Sequence, residues 1–240
     1  MHYSTILGAA AALAGVASAS PLNRRVNFVG QKVMQCTQPG LVALTYDDGP
    51  FAYTSQLLDL LAANNAKATF FVNANNWGSI YDYADVITRM HSEGHHVGSH
   101  TGTHPDLQTL STADRQAQMK QVEDATQSIA GFKPRYMRAP FLSCEQDCLA
   151  DLGALNYVIV DTSLDTKDYE HTQDIDFSVN KFESELGDPS VNSYIVLAHD
   201  VHQTTVNPLT QKMLDALRGK GFRAVTVGEC LGEPQAAWYQ

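Results

Sequence analysis

Short apolar runs recur along the chain, each closed by polar or turn residues. Segments 41–46 (LVALTY), 68–72 (ATFFV), 95–99 (HHVGS), 135–139 (RYMRA), 156–161 (NYVIVD), 194–198 (YIVLA) and 223–227 (RAVTV) have the length and the β-branched and aromatic content of strands. Between them, segments 53–65, 84–94, 112–131 and 209–221 carry apolar residues at helical spacing, and each ends in Gly or Asn, as helix C-termini prefer. Strands alternating with helices predict an α/β protein with about seven parallel strands. Seven strands can close, or nearly close, into a (β/α) barrel, or lie open as a doubly wound sheet, and periodicity leaves both open.

The polar residues that interrupt this pattern fall at strand ends. Asp47 and Asp48 follow the first run, His100 and His104 the third. Arg138 ends the fourth, Asp161 and the loop SLDTKDY follow the fifth, and His199 and Asp200 the sixth. In a parallel array all of these ends meet at one face, where barrel active sites are built. TYDDGP alone would read as a solvated turn. Its convergence with the other strand ends points to a site instead.

HTGTH sets His100 and His104 four residues apart, a spacing that one helical turn would turn to one side. With one carboxylate of the Asp47 and Asp48 pair they complete a His₂Asp set, the ligand count of a catalytic zinc site with positions left for water or substrate. Two adjacent aspartates then divide the labour, one binding the metal and the other serving as general base. Arg138 can pair with the base and keep it ionised. His199, at the end of IVLAHD, is the candidate general acid from the far side. His91, His95, His96 and His202 read as ordinary packed or surface residues.

The first 19 residues add a compartment. Residues 6–19 (ILGAAAALAGVASA) are apolar and small, end in Ala-Ser-Ala and are too short to span a bilayer, which predicts a secretory signal peptide. Residues 20–35 then form a leader, with Arg24 and Arg25 a candidate dibasic processing site, and 36–240 a single catalytic domain. In an exported chain Cys36, Cys144, Cys148 and Cys230 read as disulfides, with three pairings open to four cysteines. Cys144 and Cys148 are near enough to close a small loop, which leaves Cys36 for Cys230. A net charge of −10 argues against nucleic acid and anionic membranes as partners.

The ordered motifs TYDDGP, SHTGTH, RAPF, DTKDY and LAHD, from about residue 36 onward, resemble the polysaccharide deacetylases of carbohydrate esterase family four. The element SCEQDC, the closing VTVGECLGEP and the leader resemble the family's fungal chitin-deacetylase branch. The resemblance implies a distorted (β/α) barrel, a single divalent metal, zinc first and cobalt as alternative, and hydrolysis of N-acetyl groups on a glycan. Transferred onto this chain, it makes Asp47 the base and Asp48, His100 and His104 the metal ligands. Arg138 orients the base and His199 is the acid, tuned by Asp168, with Asp165 second. The Phe141 amide faces the oxyanion, Tyr169 walls the groove and Leu197 lines the acetyl pocket. Two positions depart from the family pattern: Phe141 stands where Tyr is usual, and Tyr169 where Trp is usual. The expected substrate is chitin or a chitooligosaccharide, acted on by a monomer. Peptidoglycan, an O-acetylated xylan, or a binding module without turnover are the competing readings.

Overall fold

The structure, a computed structural model, describes Met1 and residues 27–240. The expected signal peptide, the Arg24 and Arg25 site and most of the leader lie outside the described residues.

The chain runs β1 (Lys32–Val33), β2 (Leu41–Asp47), α1 (Thr54–Ala63), β3 (Thr69–Val72), α2 (Ala84–Ser92), β4 (His96–Ser99), α3 (Thr112–Ala130) and β5 (Tyr136–Met137). It continues through α4 (Gln146–Ala154), β6 (Val158–Val160), β7 (Leu164–Asp165), α5 (Ile175–Glu185), β8 (Tyr194–His199), α6 (Thr210–Lys220), β9 (Arg223–Val225) and α7 (Val227–Cys230). All seven expected strands are present, most trimmed at their ends. The strands form one parallel sheet in the order β1-β6-β5-β4-β3-β2-β8-β7, with β9 also on β2. Its edge strands β1 and β7 do not pair with each other among the described residues, so the sheet curls as an incomplete barrel.

β2 is the axis of this sheet, and its residues are buried on both faces, as covered parallel strands are. Period-2 alternation splits them. Val42, Leu44 and Tyr46 join the core under the helices with Leu57, Leu61, Val196 and Leu217. Ala43 turns inward to meet Phe71, Tyr136, Val158, Ile195 and Val225. The same inward series continues through Thr45 to Asp47, so one strand face passes from an apolar floor to a charged mouth. β8 repeats the pattern: Val196 and Ala198 pack outward, and Ile195 lies inward at the floor. The β2–β8 register pairs Thr45 with Leu197 and Asp47 with His199.

Disulfides join Cys36 to Cys230 and Cys144 to Cys148. Among the described residues no helix is long and apolar enough to cross a membrane.

Candidate active site

Asp47 ends β2 almost fully buried, and its partner is Arg138, which has no exposed surface. The guanidinium donates to Asp47 Oδ1 at 3.0 Å, to the Val160 carbonyl at 3.1 Å, to the Asp161 carbonyl at 3.0 Å and to Thr45 Oγ1. It also lies 4.6 Å from the Phe71 ring centre. A cation so held is fixed in place and cannot leave for water. Burial lifts Asp47 above the ordinary carboxylate range, and Arg138, with His199 and His104, opposes that lift without cancelling it.

Asp48 begins the turn and takes a left-handed backbone, φ 75°. Its Oδ1 lies 3.6 Å from His100 Nε2 and 3.3 Å from His104 Nε2, and it accepts from Asn76 Nδ2 at 3.3 Å. His100 Nδ1 donates to the Arg138 carbonyl at 2.8 Å, which puts the ring proton on Nδ1 and leaves the Nε2 lone pair facing Asp48. Burial pushes His100 down to about 3, so the ring is neutral. One donor atom from each of Asp48, His100 and His104 lies within 4.8 Å of the others. Two imidazoles and a carboxylate, with one ring oriented by a backbone carbonyl, fit a divalent cation.

The two histidines do not sit on a helical turn, as their spacing alone suggested. The 100–106 segment is an irregular loop with Thr101 at φ 74° and His104 at φ 59°. Long-range anchors set its shape. Asn73 Nδ2 donates to the His100 carbonyl and, at 3.0 Å, to that of Thr101. The Asn75 N–H donates to the Gly102 carbonyl at 2.8 Å. Gly102 packs against Gln118 and Gln121 of α3 so closely that a Cβ would overlap them. Phe141 and Leu142, in the RAPF turn, and Lys167, in the DTKDY loop, also have φ between 56° and 58°. Left-handed non-glycine residues cost energy and persist where surrounding contacts over-determine them. Here most of them sit on or next to the motif loops, with Asn65, Gln146 and Asn156 elsewhere.

Beside Asp47, at the end of the neighbouring strand β8, His199 Nδ1 bonds to Asp168 Oδ1 at 2.8 Å. Asp168 Oδ2 accepts the His199 N–H and the Thr205 hydroxyl, each at 2.7 Å. Burial works against both charges. The Asp168 charge and hydrogen bond, with Asp47 and Asp48 beyond, still raise His199 to about 9, and the same contacts hold Asp168 below the usual carboxylate range. Asp165 lies elsewhere, 3.2 Å from Lys167 Nζ and accepting from the Tyr169 hydroxyl at 3.2 Å. Phe141 is exposed, its ring edge-on to His104 with centres 4.8 Å apart, and Tyr169 stands 5.1 Å from the His199 ring. Leu197 is buried on β8, two residues before His199.

Several residues of this site escaped the sequence reading. Thr45 was within reach, since period 2 places it on the Asp47 face. Asn73, Asn76 and Thr205 act through partners distant in sequence and left no local mark. His202, read as ordinary, has its ring 6.2 Å from His199 and 5.8 Å from the exposed Trp77.

Comparison with known proteins places the chain among relatives of one family. Residues 34–160 match the family profile "Polysaccharide deacetylase". A chitin deacetylase of Colletotrichum lindemuthianum is 60% identical, with 100% of both chains covered. One from a Pestalotiopsis species is 50% identical over 96% of this chain and 78% of its own. The solved structure of the Colletotrichum enzyme superposes with a TM-score of 0.88 at 59% identity, covering 88% of this chain and 96% of that one.

Proposed function

This chain belongs to the polysaccharide deacetylase family, and we propose that it hydrolyses the N-acetyl groups of chitin or chitooligosaccharides, releasing acetate and leaving glucosamine units. One observation carries the reading. Asp47 and His199 are register partners across β2 and β8, and each is held by its own buried counter-charge, Arg138 and Asp168. A binding module has no need of a base and an acid held side by side at the ends of two paired strands.

A divalent cation held by Asp48, His100 and His104, zinc first and cobalt second, would supply Lewis acidity, polarising the acetyl carbonyl and acidifying water. The remaining steps fall to the protein. Arg138 occupies Asp47 Oδ1, so Oδ2, which lies 3.9 Å from His100 Nε2, takes the proton from the attacking water. Water oxygen bonds to the acetyl carbon, and the Phe141 N–H steadies the oxygen that becomes negative. Asp168 occupies His199 Nδ1, so Nε2 carries the proton that passes to the leaving nitrogen as the C–N bond breaks. Leu197 lines the space for the acetyl methyl, and Tyr169 and Phe141 bound the groove.

We further propose that the protein is secreted, a reading supported by the two disulfides and the leader sequence, and that it acts as a monomer. Acetate release from a chitin oligomer tests the reaction. A chelator should abolish it and added zinc or cobalt should restore it; undiminished turnover in a verified metal-free sample overturns the mechanism.

A further inference from the structure

The catalytic scheme leaves one buried acid without a task. Asp200 follows His199 at the end of β8 and is 1% exposed. One residue beyond the Asp47–His199 register, it lies under the turn that starts at Asp48. A second carboxylate buried beside a first is costly. An apolar residue would fill the same space without that cost.

Its contacts indicate what it does. Asp200 Oδ2 accepts from the Thr54 hydroxyl at 2.5 Å, and Thr54 Oγ1 in turn accepts the Phe51 N–H at 2.9 Å. The Thr54 N–H returns to the Phe51 carbonyl at 3.1 Å, which closes a clamp at the far end of the turn. At the near end, Gly49 lies against the carboxylate so tightly that a Cβ there would overlap both oxygens. The Asn73 N–H holds the Gly49 carbonyl from the β3 side at 2.9 Å. Oδ1 of Asp200 has no hydrogen-bond partner among the described residues. The turn is therefore gripped from two strands, and the β8 grip is Asp200.

We infer that Asp200 is a positioning residue: with Thr54 it seats turn 48–50 and so fixes where Asp48 offers its oxygen to the cation. It also joins the strand of the acid to the turn of the metal ligand. The inference rests on the proposed metal site, and its test separates the two.

Zinc is titrated into chelator-treated protein by calorimetry, beside melting curves, kcat and KM, for the parent, Asp200→Asn, Asp200→Ala and Thr54→Val. Asp200→Ala should bind zinc on the order of 10-fold more weakly and lose kcat with KM near the parent's, as when an oriented ligand loses its support. Asp200→Asn, which can still accept from Thr54, should recover most of both. Thr54→Val should shift zinc affinity the same way as Asp200→Ala, and it carries the test if Asp200→Ala does not fold. A parent that binds no zinc refutes the metal site itself. Lower melting temperatures with zinc affinity within about twofold of a zinc-binding parent leave Asp200 a packing residue and overturn this inference alone.

Discussion

A buried histidine stands at each end of β4, His96 as its first residue and His100 just past its last, and the two use the same ring in opposite ways. Burial pushes both His96 and His100 down to about 3, so both are neutral. At the mouth, His100 donates from Nδ1 to a carbonyl and keeps its Nε2 lone pair free beside Asp48. At the floor, His96 Nδ1 accepts the Gly228 N–H at 3.2 Å, which puts the proton on Nε2, where it finds no acceptor among the described residues. That ring lies against Trp238 with centres 4.7 Å apart and edge-on to Tyr136. His95 repeats the floor pattern, accepting from the Ala68 N–H. Burial neutralises a histidine anywhere. What decides between ligand and packing is the backbone group that meets Nδ1: a carbonyl frees the Nε2 lone pair for a cation, whereas an N–H leaves the proton on Nε2.

If the mouth is where the chemistry lies, its two aspartates must fail differently. Asp47→Asn keeps the shape and the three metal ligands, so metal content should stay near the parent's while kcat falls on the order of 10²–10⁴-fold, the loss of a general base. Asp48→Asn removes an anionic ligand; metal content should fall first, and excess zinc should return part of the activity. Excess zinc should do nothing for Asp47→Asn. Elemental analysis beside initial rates decides it, and a metal-free Asp47→Asn would exchange the two roles.

The contrast between mouth and floor also marks what the sequence could and could not convey. Strands such as 41–47 and 194–199 declare themselves because burial on both faces demands unbroken apolar runs. The mouth was legible because a run buried on both faces rarely ends in charge unless the charge is used. The two-residue strands β1 and β7 exist only through their pairing, and α5 (IDFSVNKFESE) mixes polar residues into its buried stripe, so neither stood out. The helical reading of the His100 and His104 pair failed for a related reason. Asn73 and Asn75, with Gln118 and Gln121 of α3 against Gly102, hold that loop in its left-handed backbone from outside it, and a local spacing rule cannot anticipate them. Asp200 was visible as part of LAHD, but its task depends on Thr54 and Gly49, which are distant in sequence.

A smaller effect separates the acid from the neutral rings. His199 is raised to about 9, so its protonated form prevails at neutral pH and is lost as pH rises through that value. Asp168→Asn removes the charge that outweighs burial but leaves an oxygen to accept from Thr205 and the His199 N–H. The alkaline limb of kcat against pH should move to lower pH, with kcat at neutral pH down about 10²-fold, the low end of a general acid's contribution. KM and zinc affinity should hold. An alkaline limb that does not move would mean that Asp168 only braces the fold.

The smallest effect on turnover is expected at the floor, where the comparison is most easily broken. His96→Gln is close in size and cannot ionise, and it touches none of the residues assigned to the reaction. Its kcat and KM should stay within about twofold of the parent, while the lost aromatic stacking costs about 0.5–1.5 kcal/mol of stability at neutral pH. Acid should reverse the penalty in part. In the unfolded chain His96 takes a proton near 6.5, and in the folded protein not until about 3. Folding therefore excludes that proton throughout the window, so the parent keeps its full stability above 6.5 and loses it as pH falls toward 3. His96→Gln has no such proton to exclude, and its melting temperature should fall less steeply over the same range. His95, held down to about 4 by burial, keeps part of the slope. Equal slopes in parent and variant would mean that His96 is not the neutral buried ring described. A fall in kcat to match Asp47→Asn would mean that the floor takes part in the chemistry after all.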